Sequence, residues 1–97
     1  MADTPEVKVK RKIRAWLQAR GIWYCQPVTG GFGASGVPDI IACWKGRTLA
    51  IEAKAPGKRS NTTTMQDRQL AEIAAAGGIA LVVDDVSQLD AMELQYG

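Results

Sequence analysis

The chain has 97 residues, 46% of them hydrophobic and 23% charged, with 10 Gly, 4 Pro and a net charge of +2. That is the size and mixture of one small globular domain, residues 1–97, and it excludes a disordered or low-complexity chain and a membrane-spanning one. There is no histidine and there are two cysteines, which excludes His-dependent nucleophilic catalysis, His-bound metals and a self-sufficient zinc finger.

The charges are segregated. Residues 1–20 carry six Lys/Arg against Asp3 and Glu6, a net of +4, and residues 45–68 carry six against Glu52 and Asp67, again +4. Residues 79–97 carry Asp84, Asp85, Asp90 and Glu93 and no base. One side of the molecule is thus expected to face a polyanion and the opposite side to be acidic. With no apolar leader at the N-terminus, the expected compartment is the cytoplasm.

Residues 5–19 are expected to form a helix, because Val9, Ile13, Trp16 and Leu17 recur at helical spacing. Thr4 is placed to cap it, Pro5 to open it and Gly21 to end it. Glu6 lies two turns before Ile13, on the apolar stripe, where a carboxylate is unexpected. Residues 22–28, aromatic and β-branched, are expected to form a strand, with one of Trp23 and Tyr24 exposed. Residues 29–36 contain four glycines and are expected to be a flexible loop. They lack the Gly-Lys-Ser/Thr ending of a phosphate loop, so no nucleotide cofactor is expected.

Residues 39–44 and 47–54 are expected to pair as a hairpin through a two-residue turn at Lys45 and Gly46. Residues 56–62 form a basic polar loop. A helix capped by Thr63 or Thr64 runs to about residue 76, where Gly77 and Gly78 end it. Residues 79–83 are wholly apolar and are expected to be a buried central strand. A final helix starts at Ser87 and runs to about residue 94, packing through Leu89 and Met92. Cys25 and Cys43, both in apolar runs, are expected to be buried reduced thiols, and Trp16 and Trp44 core residues. The fold class is α/β: a mixed sheet of about four strands flanked by helices, in the order α-β-β-β-α-β-α.

The hairpin concentrates the chemistry. A turn at Lys45 and Gly46 sets Trp44 opposite Arg47 and Asp39 opposite Glu52. Opposed residues share a face, so two carboxylates stand about 5 Å apart at Cβ and repel unless a cation or a proton intervenes. Lys54, two residues past Glu52, lies on the same face. Hard oxygen donors of this kind suit Mg²⁺ or Mn²⁺, with the Ala53 carbonyl as a further donor, and a neighbouring lysine can orient a water or steady a developing negative charge. Ile40, Ile41, Ala42, Leu49, Ala50 and Ile51 flank the acids, an apolar setting in which ionised side chains are more often functional than decorative.

The order Pro38-Asp39 followed by Glu52-x-Lys54 resembles the signature of the PD-(D/E)xK nucleases, and within them the VRR-NUC domain. The resemblance runs nearly end to end. It takes in Glu6 on the first helix, Gly36-Val37-Pro38-Asp39 before the second strand and the Glu-x-Lys strand. The basic loop Gly57-Lys58-Arg59-Ser60, Gln66 on the next helix and a Gly-Gly pair before an apolar strand complete it. The family's Val-Arg-Arg tripeptide is not present; the corresponding stretch reads Val82-Val83-Asp84-Asp85. The resemblance implies a PD-(D/E)xK-like sheet and a Mg²⁺- or Mn²⁺-dependent deoxyribonuclease. Asp39, Glu52 and the Ala53 carbonyl would hold the metal, and Glu6 would reach it directly or through water. Lys54 would position the attacking water, and Gln66 would orient Lys54 or the scissile phosphate.

Lys10, Arg14, Lys58, Arg59, Ser60 and Asn61 carry the donors for DNA backbone contact. No recognition helix or finger is present, so substrate choice by shape is expected, with branched DNA such as a four-way Holliday junction the implied substrate. A homodimer would match the two-fold symmetry of such a junction. The alternatives are a DNA-binding module that does not cut, a nuclease subunit whose partner chooses the substrate, and a small α/β protein in which the acids and lysine form only a coincidental salt-bridge ladder.

Overall fold

The computed structural model describes residues 3–28 and 35–97. Helix α1 (Pro5–Ala19) opens with the Thr4 hydroxyl accepting from the Val7 N–H at 3.2 Å. It closes at Arg20, after which Gly21 takes a φ of +65°. Its buried stripe is Val9, Ile13, Trp16 and Leu17, as the spacing predicts.

Strand β1 (Tyr24–Cys25) is much shorter than the expected 22–28. The Ile22 N–H is held back by the Leu17 carbonyl at the helix end, 3.0 Å away, and Pro27 has no N–H to give a ladder. Trp23 is 61% exposed and Tyr24 is half-buried, the expected alternation.

Strands β2 (Ile40–Trp44) and β3 (Arg47–Ala53) pair antiparallel, with Trp44 opposite Arg47 and Ile40 opposite Ile51. The turn takes both central residues to positive φ, 50° at Lys45 and 77° at Gly46, the pair of values a two-residue turn needs to match strand twist. Helix α2 (Thr64–Ala75) crosses over to β4 (Ile79–Val83), which runs parallel to β3, and α3 (Ser87–Tyr96) ends the chain.

The sheet order is β1-β2-β3-β4. The chain is therefore α/β, with a four-stranded mixed sheet and three helices among the described residues. Strand β4 is an edge strand, not the central one its apolar run suggested; β3 lies between β2 and β4. The run is apolar because layers cover both faces of β4, and two covered faces do not require two strand neighbours.

The first face of the sheet carries Ile40, Ala42, Trp44, Leu49, Ile51, Ala53, Ile79 and Val83 against the α1 stripe and against Leu89 and Met92 of α3. Each fully buried Leu or Ile there contributes about 1.5–3 kcal/mol from removal of apolar surface from water. The second face carries Ile41, Cys43, Ala50, Glu52, Ala80 and Val82, and α2 packs over its β3–β4 half. Cys25 and Cys43 fall on that second face, beyond the cover of α2, so both are free and exposed rather than buried. Their strand parity, opposite to that of Ala42 and Trp44, accounts for it.

No described helix is long and apolar enough to cross a membrane. Of the expected glycine-rich loop, residues 29–34 lie outside the described residues; Gly36 takes a φ of +76°.

Candidate active site

The hairpin register that fixes the core also fixes the site. Ile40 opposes Ile51, so the next pair toward the open end is Asp39 with Glu52. Asp39 stands just outside β2 and bends its carboxylate to the neighbouring strand, where Oδ2 accepts from the Ala53 N–H at 2.9 Å. In extended backbone a residue's N–H and C=O project to the same side, so the Ala53 carbonyl also faces the Asp39 edge. The Ala53 side chain meanwhile lies in the core.

Glu52 is the buried charged residue of the described core, with 4% of its side chain exposed. Its Oε2 accepts from the Gln66 amide nitrogen at 2.8 Å and lies 3.8 Å from the Lys54 ammonium. Among the described residues its buried Oε1 has no partner. Burial, and then the negative charge of Asp39, push the Glu52 carboxyl up to about 7; Lys54 pulls the other way. A carboxylate that stays this costly to ionise beside a second carboxylate is short of positive charge.

Gln66 is fixed before it does anything else. It is the third residue of α2 and closes a capping box with Thr63: its Oε1 accepts from the Thr63 N–H at 2.9 Å, and its own N–H donates to the Thr63 hydroxyl at 3.1 Å. The same Oε1 accepts from Lys54 Nζ at 3.1 Å. One side chain thus ties the start of α2 to both Glu52 and Lys54. Gly36 supports the arrangement, because a Cβ there would lie 2.4 Å from the Met65 carbonyl carbon and 2.6 Å from the Gln66 nitrogen. The segment leading to Asp39 therefore rests directly on the first turn of α2.

Glu6 comes from the first turn of α1, half-exposed rather than packed in the apolar stripe. It joins the cluster through Lys10, whose Nζ lies 3.7 Å from Glu6 Oε2 and 3.6 Å from Asp39 Oδ1. Lys10, read from the sequence as a backbone-phosphate contact, thus stands among the carboxylates. Its i,i+4 spacing from Glu6 was visible in the sequence; its pairing with Asp39 is a tertiary contact and was not. Gly36 was likewise noted only as part of a motif, without the close approach that requires it.

Exposure rises outward from the centre, from 4% at Glu52 through 13% at Lys54 to 24% at Asp39. The site is a buried acid flanked by a lysine, an amide and a second, more exposed acid. Among the described residues no group of three His, Cys, Asp or Glu side chains is spaced to hold a metal by itself. The available donors are two carboxylates and a backbone carbonyl, all hard oxygens. The unpartnered Glu52 Oε1 is an acceptor directed at no protein donor. That set fits Mg²⁺ or Mn²⁺, ions that keep several of their own waters.

Residues 58–61 lie in the exposed segment between Lys54 and α2. Lys58 and Ser60 are exposed, Asn61 donates its backbone N–H to the Lys58 carbonyl at 2.9 Å, and Arg59 Nε donates to the Val82 carbonyl at 3.0 Å. Arg14 follows Lys10 by one turn of α1 and is half-buried. Gln69, one turn after Gln66, donates instead to the Ser35 carbonyl at 3.3 Å.

Comparison with protein-family models, with curated proteins and with solved structures returns no match to this chain.

Proposed function

We propose that the chain is a VRR-NUC-like nuclease of the PD-(D/E)xK fold, a Mg²⁺- or Mn²⁺-dependent phosphodiesterase that cuts DNA. The single observation that carries this reading is the convergence of Asp39, Glu52, Lys54 and Gln66, from three separate segments of the chain, in one partly buried cluster. A surface ladder of ion pairs does not bury an acid with an unpartnered oxygen.

Asp39, Glu52 and the Ala53 carbonyl are the residues that would hold the ion. When bound, it supplies positive charge to the phosphate oxygens and acidifies a water. Lys54 has its ammonium set by Gln66 and Glu52, and it holds the attacking water and stabilises the negative charge that grows on the phosphate. Gln66 keeps Lys54 aimed and shares in the neutralisation of Glu52 by donating to it. Glu6 would reach the ion directly or through a water. Lys58, Arg59, Ser60 and Asn61 grip the backbone on the α2 side, and Arg14 on the α1 side, without reading bases.

With no base-reading element among the described residues, selectivity comes from DNA shape. A homodimer with two such sites suits a branched, two-fold symmetric substrate such as a four-way junction.

The test is cleavage of labelled linear duplex, single-stranded, flap and four-way junction DNA in Mg²⁺ or Mn²⁺, with a chelator control. Metal-dependent cutting that favours the junction supports the whole reading. Equal cutting of every substrate removes the junction preference but keeps the nuclease. Binding without cutting assigns the chain to a DNA-holding or partner-dependent role instead.

A further inference from the structure

We propose that Lys10 is the counter-ion that a divalent cation must displace to enter the site, so that one ammonium sets the metal affinity of the centre. This rests on the metal-dependent reading above.

The geometry isolates Lys10 for that role. Asp39 Oδ2 is fixed by the Ala53 N–H at 2.9 Å, which leaves Oδ1 as the oxygen free to accept a ligand, and Lys10 Nζ is the cation nearest it at 3.6 Å. The second contact of Lys10, to Glu6 Oε2, is 3.7 Å. Both distances exceed those of a charge-assisted hydrogen bond, about 2.7–2.9 Å, so the ammonium is held by charge and not locked by direction.

Lys54 differs. It is hydrogen-bonded to Gln66 at 3.1 Å, and its side chain is half as exposed as that of Lys10, 13% against 26%. The buried neighbours Val9 and Ile13 fix the backbone of α1 beneath Lys10, while its flexible four-carbon stem can carry the charge out to water.

Charge balance points the same way. The charged groups of the cluster are three carboxylates, Glu6, Asp39 and Glu52, and two ammoniums, Lys10 and Lys54. A divalent cation added with both lysines in place over-neutralises the ionised cluster; with Lys10 withdrawn, the charges cancel. The exchange of one ammonium for one divalent ion is therefore the favoured path, and the attraction of Lys10 to Asp39 subtracts from the free energy of metal binding.

The experiment is calorimetric titration of Mn²⁺ into the metal-stripped wild-type chain and into Lys10→Met, Lys10→Gln, Lys10→Arg and Asp39→Asn, with circular dichroism to compare folding. The expected result is Mn²⁺ affinity at least about fivefold tighter in Lys10→Met and Lys10→Gln, within the usual range of coupling between two ligands. Lys10→Arg should bind no tighter than wild type, and Asp39→Asn should lose the site. Lys10→Gln keeps a polar group between the acids, so it carries the comparison if Lys10→Met unfolds. Unchanged or weaker binding in the neutral variants, with wild type binding Mn²⁺, overturns the proposal alone. No binding by wild type or by either neutral variant overturns it together with the metal-dependent reading.

Discussion

Gln66 and Glu52 meet through a 2.8 Å hydrogen bond in which the amide nitrogen of Gln66 donates to Oε2 of Glu52. The other end of the same amide holds Lys54 and completes the cap of α2. Capping and site geometry are therefore separable by one substitution. Gln66→Glu keeps an acceptor for the Thr63 N–H, so the cap survives and stability falls by no more than about 1 kcal/mol. It removes the donor to Glu52 and sets a third negative charge against it, and DNA cleavage should fall by about 10²-fold. Thermal unfolding beside cleavage rates checks this; a variant that cuts at the wild-type rate removes Gln66 from the site.

The raised Glu52 carboxyl has a signature in the metal-free protein. Its value in the fold is about 7 against an ordinary 4.5, so between those pH values the folded chain holds more protons than the unfolded one. Its contribution to stability is then fully present below pH 4.5 and is lost as pH rises through about 7. In chelator, the melting temperature of wild type relative to Glu52→Gln should fall as pH goes from 5 to about 8. Added Mn²⁺ should restore it at the alkaline end. A difference that stays flat or rises with pH contradicts the assignment of cause to burial and to Asp39.

Gly36 stands where no other residue fits. Its φ of +76° disfavours a side chain, and a Cβ would press to 2.4 Å from backbone that cannot yield as a side-chain tip can. Gly36→Ala should cost about 2–4 kcal/mol from strain and overpacking together. It should also displace the start of α2 and with it Gln66, so cleavage should fall even at temperatures where the variant is folded. Chemical denaturation measures the first effect, and cleavage at low temperature the second.

In the proposed nuclease the basic segment after Lys54 is expected to act by charge alone. Lys58→Ala should weaken DNA binding evenly across substrates and lower the slope of log affinity against log salt by about one. Fluorescence anisotropy over a salt series reads both quantities. A loss confined to one DNA structure would instead make Lys58 a shape-reading residue.

Much of this arrangement was legible in the sequence because it is local or follows from parity. Lys45-Gly46 dictates a two-residue turn, and counting back from Trp44 and Arg47 is enough to set Asp39 against Glu52. Thr4 and Pro5, and Thr63 with Gln66, announce their helices. Some features were misread. An apolar run such as Ile79–Val83 reports covered faces, and here those faces belong to an edge strand. The aromatic stretch around Tyr24 has strand-forming residues, but Ile22 is held by the helix end and Pro27 cannot donate. Cys25 and Cys43 have apolar neighbours in sequence, yet parity turns both outward. The pairing of Lys10 with Asp39 and the seat of Gly36 on α2 are contacts between distant segments, and no local pattern encodes them.

The central claim is that Asp39 and Glu52 hold a divalent cation while Lys54 serves the chemistry. The most direct measurement pairs Mn²⁺ binding with DNA cleavage in wild type, Asp39→Asn and Lys54→Met. The account predicts that Asp39→Asn loses both metal binding and cleavage, and that Lys54→Met still binds Mn²⁺ but no longer cuts. Cleavage by both variants at the wild-type rate, or cleavage by wild type in the presence of chelator, would contradict it.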